Sequence, residues 1–308
     1  MNEPARIVSL LASATELSCA LGLGERLVGR SHECDFPAWV RDLPEVSRPT
    51  FDIHGSSREI DELVRSRLRE GAPLYQVDEA LLLELAPDVV LTQTHCEVCA
   101  VSPGDIAHAT PAKLTRTPLV ALRGGSLAEI LHSFEEVAAV LGRVAAGATL
   151  VAELHDKLAR VRQRSERLAR PRIACLEWIE PPFAMGNWGP ELVEIAGGHN
   201  VLGQTGVHST TLPFQAVLDA DPDVLLVAPC GFGLARASQE MHLVTEQPGF
   251  YDLRAAKAGR VYVADGNLYF NRSSPSLFET PEILAEMLHP AEFEPRHEGL
   301  AWKKWPSR

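Results

Sequence analysis

The chain reads alike twice, once on each side of a long uninterrupted helix, and that symmetry restricts its fold more than any other feature. ARIVSL followed by ATELSCALGLGERLVG near the start returns as PRIACL followed by GPELVEIAGGHNVLG. Each is a short apolar strand, a turn, and a helix entered at Thr-Glu or Pro-Glu and closed by glycine. Further along, LAPDVVLTQT (Leu85 to Thr94) has its counterpart in ADPDVLLVAP (Ala220 to Pro229). Matching anchors in the same order predict an internal duplication.

Between the copies, Ala148 to Arg170 contains neither Gly nor Pro and places Val151, Leu154, Leu158, Val161 and Leu168 on one stripe. At about 1.5 Å per residue this helix spans roughly 34 Å, and Pro171 stops it. Strands alternating with helices predict parallel sheets. The expected fold is therefore α/β: two Rossmann-like lobes joined by one long helix. The expected divisions are an N-terminal lobe over 1–143 with an insertion at 48–71, a connecting helix within 144–170, a second lobe over 171–290, and a polar tail over 291–308 laid on a lobe or partly disordered. Within the first lobe, Ser13 or Thr15 is expected to cap the first helix and Ser126 a later one.

The 308 residues carry a net charge of −12 and a pI near 5.4, with arginines scattered or paired with acids, which argues against a nucleic-acid or anionic-membrane surface. No run approaches the ~20 apolar residues of a membrane span, so membrane insertion is not expected. MNEPARIVSL lacks the basic and apolar regions of a secretory signal. As written the chain is expected in the cytoplasm, or in the periplasm if an upstream signal has been removed. Six cysteines fit a reduced compartment.

In parallel sheets the binding crevice lies at the carboxyl ends of the strands. The unusual loops SHECDFP, HCEVC, WIEPPFAMGNW, PCGFG and DGNLYF each follow an expected strand, and a cleft between the lobes is where they are expected to meet. Phe36, Trp178, Phe183, Trp188, Phe232, Tyr269 and Phe270 are expected to line it, in preference to filling a lobe core; aromatic residues are only 6% of the chain, and these gather in strand-end loops. His32, Cys34, His95, Cys96 and Cys99 form a possible site for zinc, iron or cobalt. The alternatives are a redox-active Cys96–Cys99 pair or ordinary polar loop residues. No G-x-S-x-G or phosphate-binding glycine fingerprint occurs, and Glu177 and Glu180 read more readily as solvated carboxylates than as a catalytic pair. A small-molecule binding protein is expected, not an enzyme.

RIVSLLASATELSCALGL, LVGRSHECDFP, LAPDVVLTQ, EWIEPPFAMGNW, AGGHNVLG and RVYVADGNLYFNRSSP occur in order over most of residues 5 to 288. In these the chain resembles the cobalamin and iron-siderophore class of ABC-transporter solute-binding proteins, the vitamin B12-binding branch most of all. The resemblance implies two α/β lobes on one helix with a corrinoid or related metal chelate held between them. It places ligand contacts at Ser13, Ala14, His32, Glu33, Cys34, Phe36, Thr94, His95, Trp178, Glu180, Phe183, Trp188, Phe232, Asn267, Tyr269 and Phe270. The His-x-Cys and His-Cys-x-x-Cys runs depart from the well-known transport members; His32 or His95 is expected either to ligate cobalt or to hydrogen-bond the loop backbone. Transport-coupled members present a glutamate from each lobe to arginines of a membrane permease. The corresponding positions here hold Ala80 and Gln215, with Glu79 adjacent, so a permease is an expected partner only if other residues replace those pairs. Two other readings are a cytosolic metal or redox protein using the His/Cys cluster, and an ordinary importer subunit without its signal.

Overall fold

The computed structural model describes residues 4–94 and 117–306. The chain divides into two compact units: Met1–Gly55, Glu59–Leu154 and Ser273–Pro275 in the first, Ser56–Arg58, His155–Arg272 and Ser276–Arg308 in the second.

The first unit holds the strands β1 (Ile7–Ser9), β2 (Leu27–Ser31), β3 (Glu45–Pro49), β4 (Tyr75–Val77), β5 (Val89–Gln93) and β6 (Leu119–Leu122) in the order β4-β3-β2-β1-β5-β6. Only β4 runs antiparallel to its neighbour; every other pairing is parallel. β1 and β5 are buried at every position, which is why IVS and VVLTQ read as continuous and not alternating runs. Val8, Leu10, Val46, Tyr75, Leu82 and Val90 share one apolar cluster.

Two strands of this sheet escape the sequence reading. EVSRP ends in proline and carries two charges, so it does not look like a strand, yet it pairs with β2 on one side and β4 on the other. Residues 48 and 49, expected at the start of an insertion, are thus part of the sheet. The charged helix expected after them runs Ser57–Glu70. β6 is a short strand pairing with β5. The expected caps divide. Ser126 accepts from Glu129 N at 3.3 Å, as expected. The helix Ala12–Ala20, however, is preceded by Leu11 with no side-chain cap, and Ser13 and Thr15 lie inside it.

The second unit holds β7 (Arg172–Trp178), β8 (Phe183–Ala184), β9 (His199–Asn200), β10 (Thr210–Thr211), β11 (Val224–Val227), β12 (Val261–Ala264) and β13 (Trp302–Lys304), in the order β10-β8-β7-β11-β12-β13 with β9 beside β7. The tail is accordingly a structural part of this unit: β13 lies antiparallel on β12 and Trp302 is buried.

The Pro-Asp repeats serve the same purpose in both units. The helices Glu79–Leu85 and Phe214–Ala220 both stop at a non-glycine residue with positive φ, Ala86 at 41° and Asp221 at 37°. The chain then turns through proline, and the aspartate anchors the first strand. Asp88 Oδ2 accepts from the amides of Ala5 and Arg6 at 2.9 Å. Asp223 Oδ2 accepts from Arg172 N at 2.9 Å. Each carboxylate satisfies backbone amides at the start of the first strand of its unit.

The long helix runs Val144–Ser165, and the two units divide within it, between Leu154 and His155. It begins earlier than its apolar stripe suggests and ends at Ser165, short of Pro171. Ser165 Oγ there donates to Ile195 O at 2.8 Å, and a Cβ at Gly197 would lie 2.8 Å from Ser165 Cβ, so the helix end is seated closely against another turn of the second unit. Among the described residues no helix is long and apolar enough to cross a membrane.

Candidate functional site

In the first unit the carboxyl end of β2 delivers His32 to Phe36. His32 N donates to Ser47 O at 3.2 Å, and its ring packs on Tyr75 with centroids 5.4 Å apart. Nδ1 lies 3.3 Å from Ser31 Oγ, and Nε2 lies 3.8 Å from Glu33 Oε1. Burial holds the imidazole below the usual histidine range, against the pull of Glu45. Cys34 points elsewhere. Its residue is 1% exposed, its sulfur receives the Thr15 hydroxyl at 3.0 Å and itself faces Ser9 O at 3.8 Å. This thiol belongs to the packing around the first helix, which corrects its reading as an open ligand. Phe36 is 44% exposed, whereas Ser13 and Ala14 are buried in the first helix, where Ser273 Oγ lies 3.5 Å from Ser13 Oγ. Thr94 is exposed at the end of β5, its amide on Leu122 O.

His95, Cys96 and Cys99 lie outside the described residues. Among the described residues no group of three or more His, Cys, Asp or Glu side chains is arranged to hold a metal ion. His32 and Cys34 are also turned to different neighbours, so those two alone do not form a centre.

In the second unit three strand ends are knitted together. After β12, Asp265 Oδ1 accepts from Leu268 N at 2.8 Å, and Asn271 N reaches back to Gly266 O at 3.1 Å, closing a single π turn over Gly266–Phe270. Such wide turns are rare and frequent at functional sites. The turn sits hard against the loop after β11: Asn267 N donates to Phe232 O at 3.2 Å, and Asn271 Nδ2 to Ala228 O at 2.9 Å. Phe232 meets Trp178, at the end of β7, edge to face at 5.2 Å.

The aromatic residues therefore separate into two groups. Trp188, Phe232 and Phe270 are buried, and the indole of Trp188 donates to Phe270 O at 2.9 Å. They form the floor under the loops, and the expectation that all seven line a cleft is corrected for these three. Trp178, Phe183 and Tyr269 are half-buried, as is Asn267. Glu180 is not simply solvated: it is ion-paired with Arg58, which clusters with this unit.

Glu177 was legible only as an acid. It sits where the β7–β8 pairing shifts register, between Leu176 and Trp178. Its carboxyl group is enclosed, with Ser209 and the Gly186 amide as hydrogen-bond partners and His208 nearby, and burial pushes its pKa up to about 7. Two arginines were missed, Arg236 in the helix Leu234–Thr245 and the buried Arg272. The signal available was position alone: each lies just beyond a strand-end loop already singled out.

A family model described as periplasmic binding protein matches residues 7–268. An uncharacterized ABC transporter substrate-binding lipoprotein of Bacillus subtilis is 23% identical over 300 residues, 95% of this chain and 82% of that protein. A vitamin B12-binding protein of Vibrio parahaemolyticus is 22% identical over 231 residues, 74% of this chain and 72% of that one. The crystal structure of a periplasmic heme binding protein from Pseudomonas aeruginosa superposes with a TM-score of 0.73 at 19% identity, covering 99% of each chain. That likeness concerns the fold.

Proposed function

The chain belongs to the periplasmic binding protein family, and from that premise we propose that it binds a tetrapyrrole-sized metal chelate, in the first instance a cobalamin-like corrinoid. The observation that carries this reading is the aromatic edge of the second sheet. Trp178 stands on the buried Phe232, and the π turn presents Asn267 and Tyr269 beside it. Half-buried rings on a rigid floor suit a large flat ligand, because such rings lose little entropy on binding. The relatives are substrate-binding proteins and not enzymes, and the same role is assigned here. His32, kept neutral by burial, supplies an imidazole near the loops of the first unit.

Ala80 and Gln215 bear on transport coupling. Both are exposed, each on the helix preceding a Pro-Asp strand, and Gln215 Nε2 is engaged with Asp219 at 2.8 Å. Neither offers a carboxylate to a permease arginine, which supports binding uncoupled from the usual docking pairs. An importer subunit is the second reading, favoured by the substrate-binding lipoprotein relative.

An ultraviolet–visible titration with aquocobalamin and cyanocobalamin after gel filtration tests the proposal, with total metal read on the untreated sample. Stoichiometric co-elution of a corrinoid supports it, and a band shift with aquocobalamin alone identifies ligation of cobalt by the protein. Absence of co-elution together with stoichiometric zinc or iron rejects the corrinoid and favours a metal centre that draws on His95, Cys96 and Cys99.

A further inference from the structure

The turn that carries Asn267 and Tyr269 is bonded to the tail. Asp265, whose carboxylate caps that turn at Leu268 N, donates its own amide to Ala301 O at 2.7 Å. Ala301 is fully buried, and its amide donates in turn to His297 O at 2.9 Å. Gly299 N reaches Trp302 O at 2.7 Å, so residues 297–302 close into one turn ahead of β13, where Trp302 pairs with Ala264. His297 and Trp302, which bracket this turn, are hydrogen-bonded to the same buried carboxylate, Glu286 of the helix Thr280–Leu288. Thr280, the first residue of that helix, donates through Oγ1 to Tyr269 O. One helix therefore holds both the π turn and the tail that is bonded to Asp265.

We infer that the tail is a positioning element of the binding edge: Trp302, held by Glu286, fixes Ala301 against Asp265 and so sets the π turn that presents Asn267 and Tyr269. A single turn is too short to be stable by itself, and π geometry is rare. Its shape is therefore governed by the groups bonded to its ends, Asp265 on one side and Asn271 and Thr280 on the other. A binding edge keeps its geometry only where such supporting bonds lock its side chains. The inference rests on the tetrapyrrole reading and adds to it residues remote in sequence from the strand-end loops.

The test uses the full chain and the variant Trp302→Phe, which keeps an aromatic ring beside Tyr262 and removes the indole N–H that Glu286 accepts. Without ligand, the amides of Asp265 and Leu268 are expected to exchange hydrogen at least about tenfold faster in the variant, while those of β7 keep the parent's rate. Titrations with hemin and cyanocobalamin are expected to show at least about fivefold weaker binding of whichever of them the parent takes. Val224→Ala, a buried change at the amino end of β11, is the control for lost stability and should leave that affinity unchanged. Equal weakening by the two variants overturns the inference, as does Trp302→Phe binding as tightly as the parent; the tetrapyrrole reading stands in both cases. Unchanged exchange at Asp265 and Leu268 overturns it even where affinity falls. If the parent binds neither ligand, the tetrapyrrole reading fails and the inference fails with it.

Discussion

The indole Nε1 of Trp302 donates to Glu286 Oε2 at 2.7 Å, tying the last strand to a carboxylate that is 1% exposed. The same carboxylate accepts from His297 Nδ1 at 2.6 Å and from the amides of Arg296 and His297 at 3.2 Å. A buried charge is tolerated when its lone pairs are filled in this way. β13 is thus anchored to the helix Thr280–Leu288 as well as to β12.

Removing the carboxylate strands four donors. Glu286→Ala should cost about 3 kcal/mol or more, read as a lower urea midpoint, and should expose the segment after residue 290 to limited proteolysis. His297 adds a pH dependence. Its hydrogen bond to Glu286 raises its pKa, aided by Glu286, Glu279 and Glu282 as charges, while burial opposes the rise; Glu279 is in turn ion-paired with Lys157. The folded state therefore holds this proton more tightly than the unfolded state. The stabilisation is fully present below about pH 6.5 and is lost as pH rises through the folded value. His297→Asn should flatten the stability profile above pH 6.5, and an unchanged slope would show that the pair contributes nothing.

Glu177 should govern the pH profile in a lower window. Burial raises its pKa from the ordinary carboxylate value to about 7, so the folded state binds a proton that the unfolded state has released. Its contribution is complete below about pH 4.5 and is lost as pH rises towards 7. Glu177→Gln keeps the shape without the ionisation. The difference in urea midpoint between this variant and the parent should shift in the variant's favour from pH 4.5 to 7. A difference that stays constant over that range would contradict an enclosed, protonated carboxyl group.

The course of the chain was readable where one physical rule acted alone. LAPDVV and ADPDVL mark a helix end, a turn and a strand start within a few residues each, so the two matching strands were legible, whereas the strand-end amides that Asp88 and Asp223 hold lie far off in sequence and were not. EVSRP was not legible either, because β3 owes its strand character to pairing with β2 and β4 on either side and not to its own residues. The tail was expected on a lobe or partly disordered, and its strand was not legible for the same reason: Trp302 takes its place from pairing with β12 and from Glu286 on a separate helix. At the candidate site, loops were identifiable by composition, but composition does not tell a ring that faces ligand from one that supports it. Phe232 and Phe270 became floor, and Arg236 emerged only once the position of Phe232 was known.

The cysteines should differ sharply in reactivity. Cys34 and Cys175 are each 1% exposed, and burial pushes the Cys175 thiol up to about 12. Only thiolate reacts appreciably. Under native conditions a maleimide followed by peptide mapping should leave both unmodified, while Cys230, half-buried beyond β11, is labelled first among the described cysteines. Both protected residues should react once guanidinium unfolds the chain. Native labelling of Cys34 at the rate of Cys230 would refute its enclosure beside Thr15 and return it to the set of open ligands.

Gly266 is the position at which stability and binding should fail together. A Cβ there would lie 2.1 Å from Pro229 O and 2.5 Å from both Ala228 C and Ala228 O, and these are backbone atoms that cannot rotate away. The close approach allows Asn271 Nδ2 to bond Ala228 O and Gly266 O at 2.9 and 3.0 Å, and Asn267 N to reach Phe232 O. Gly266→Ala should force the π turn away from the β11 loop and break several of these bonds at once. The expected cost is about 2 kcal/mol or more in unfolding free energy. Affinity for whichever of hemin or cyanocobalamin the parent chain binds should fall by at least about tenfold, since a displacement near 1 Å disables a preorganised site. Asn271→Ala removes the two Nδ2 hydrogen bonds without a clash and should reproduce part of both effects. If Gly266→Ala melts earlier yet binds as tightly as the parent, the turn serves the fold alone, and the ligand must be held by other residues.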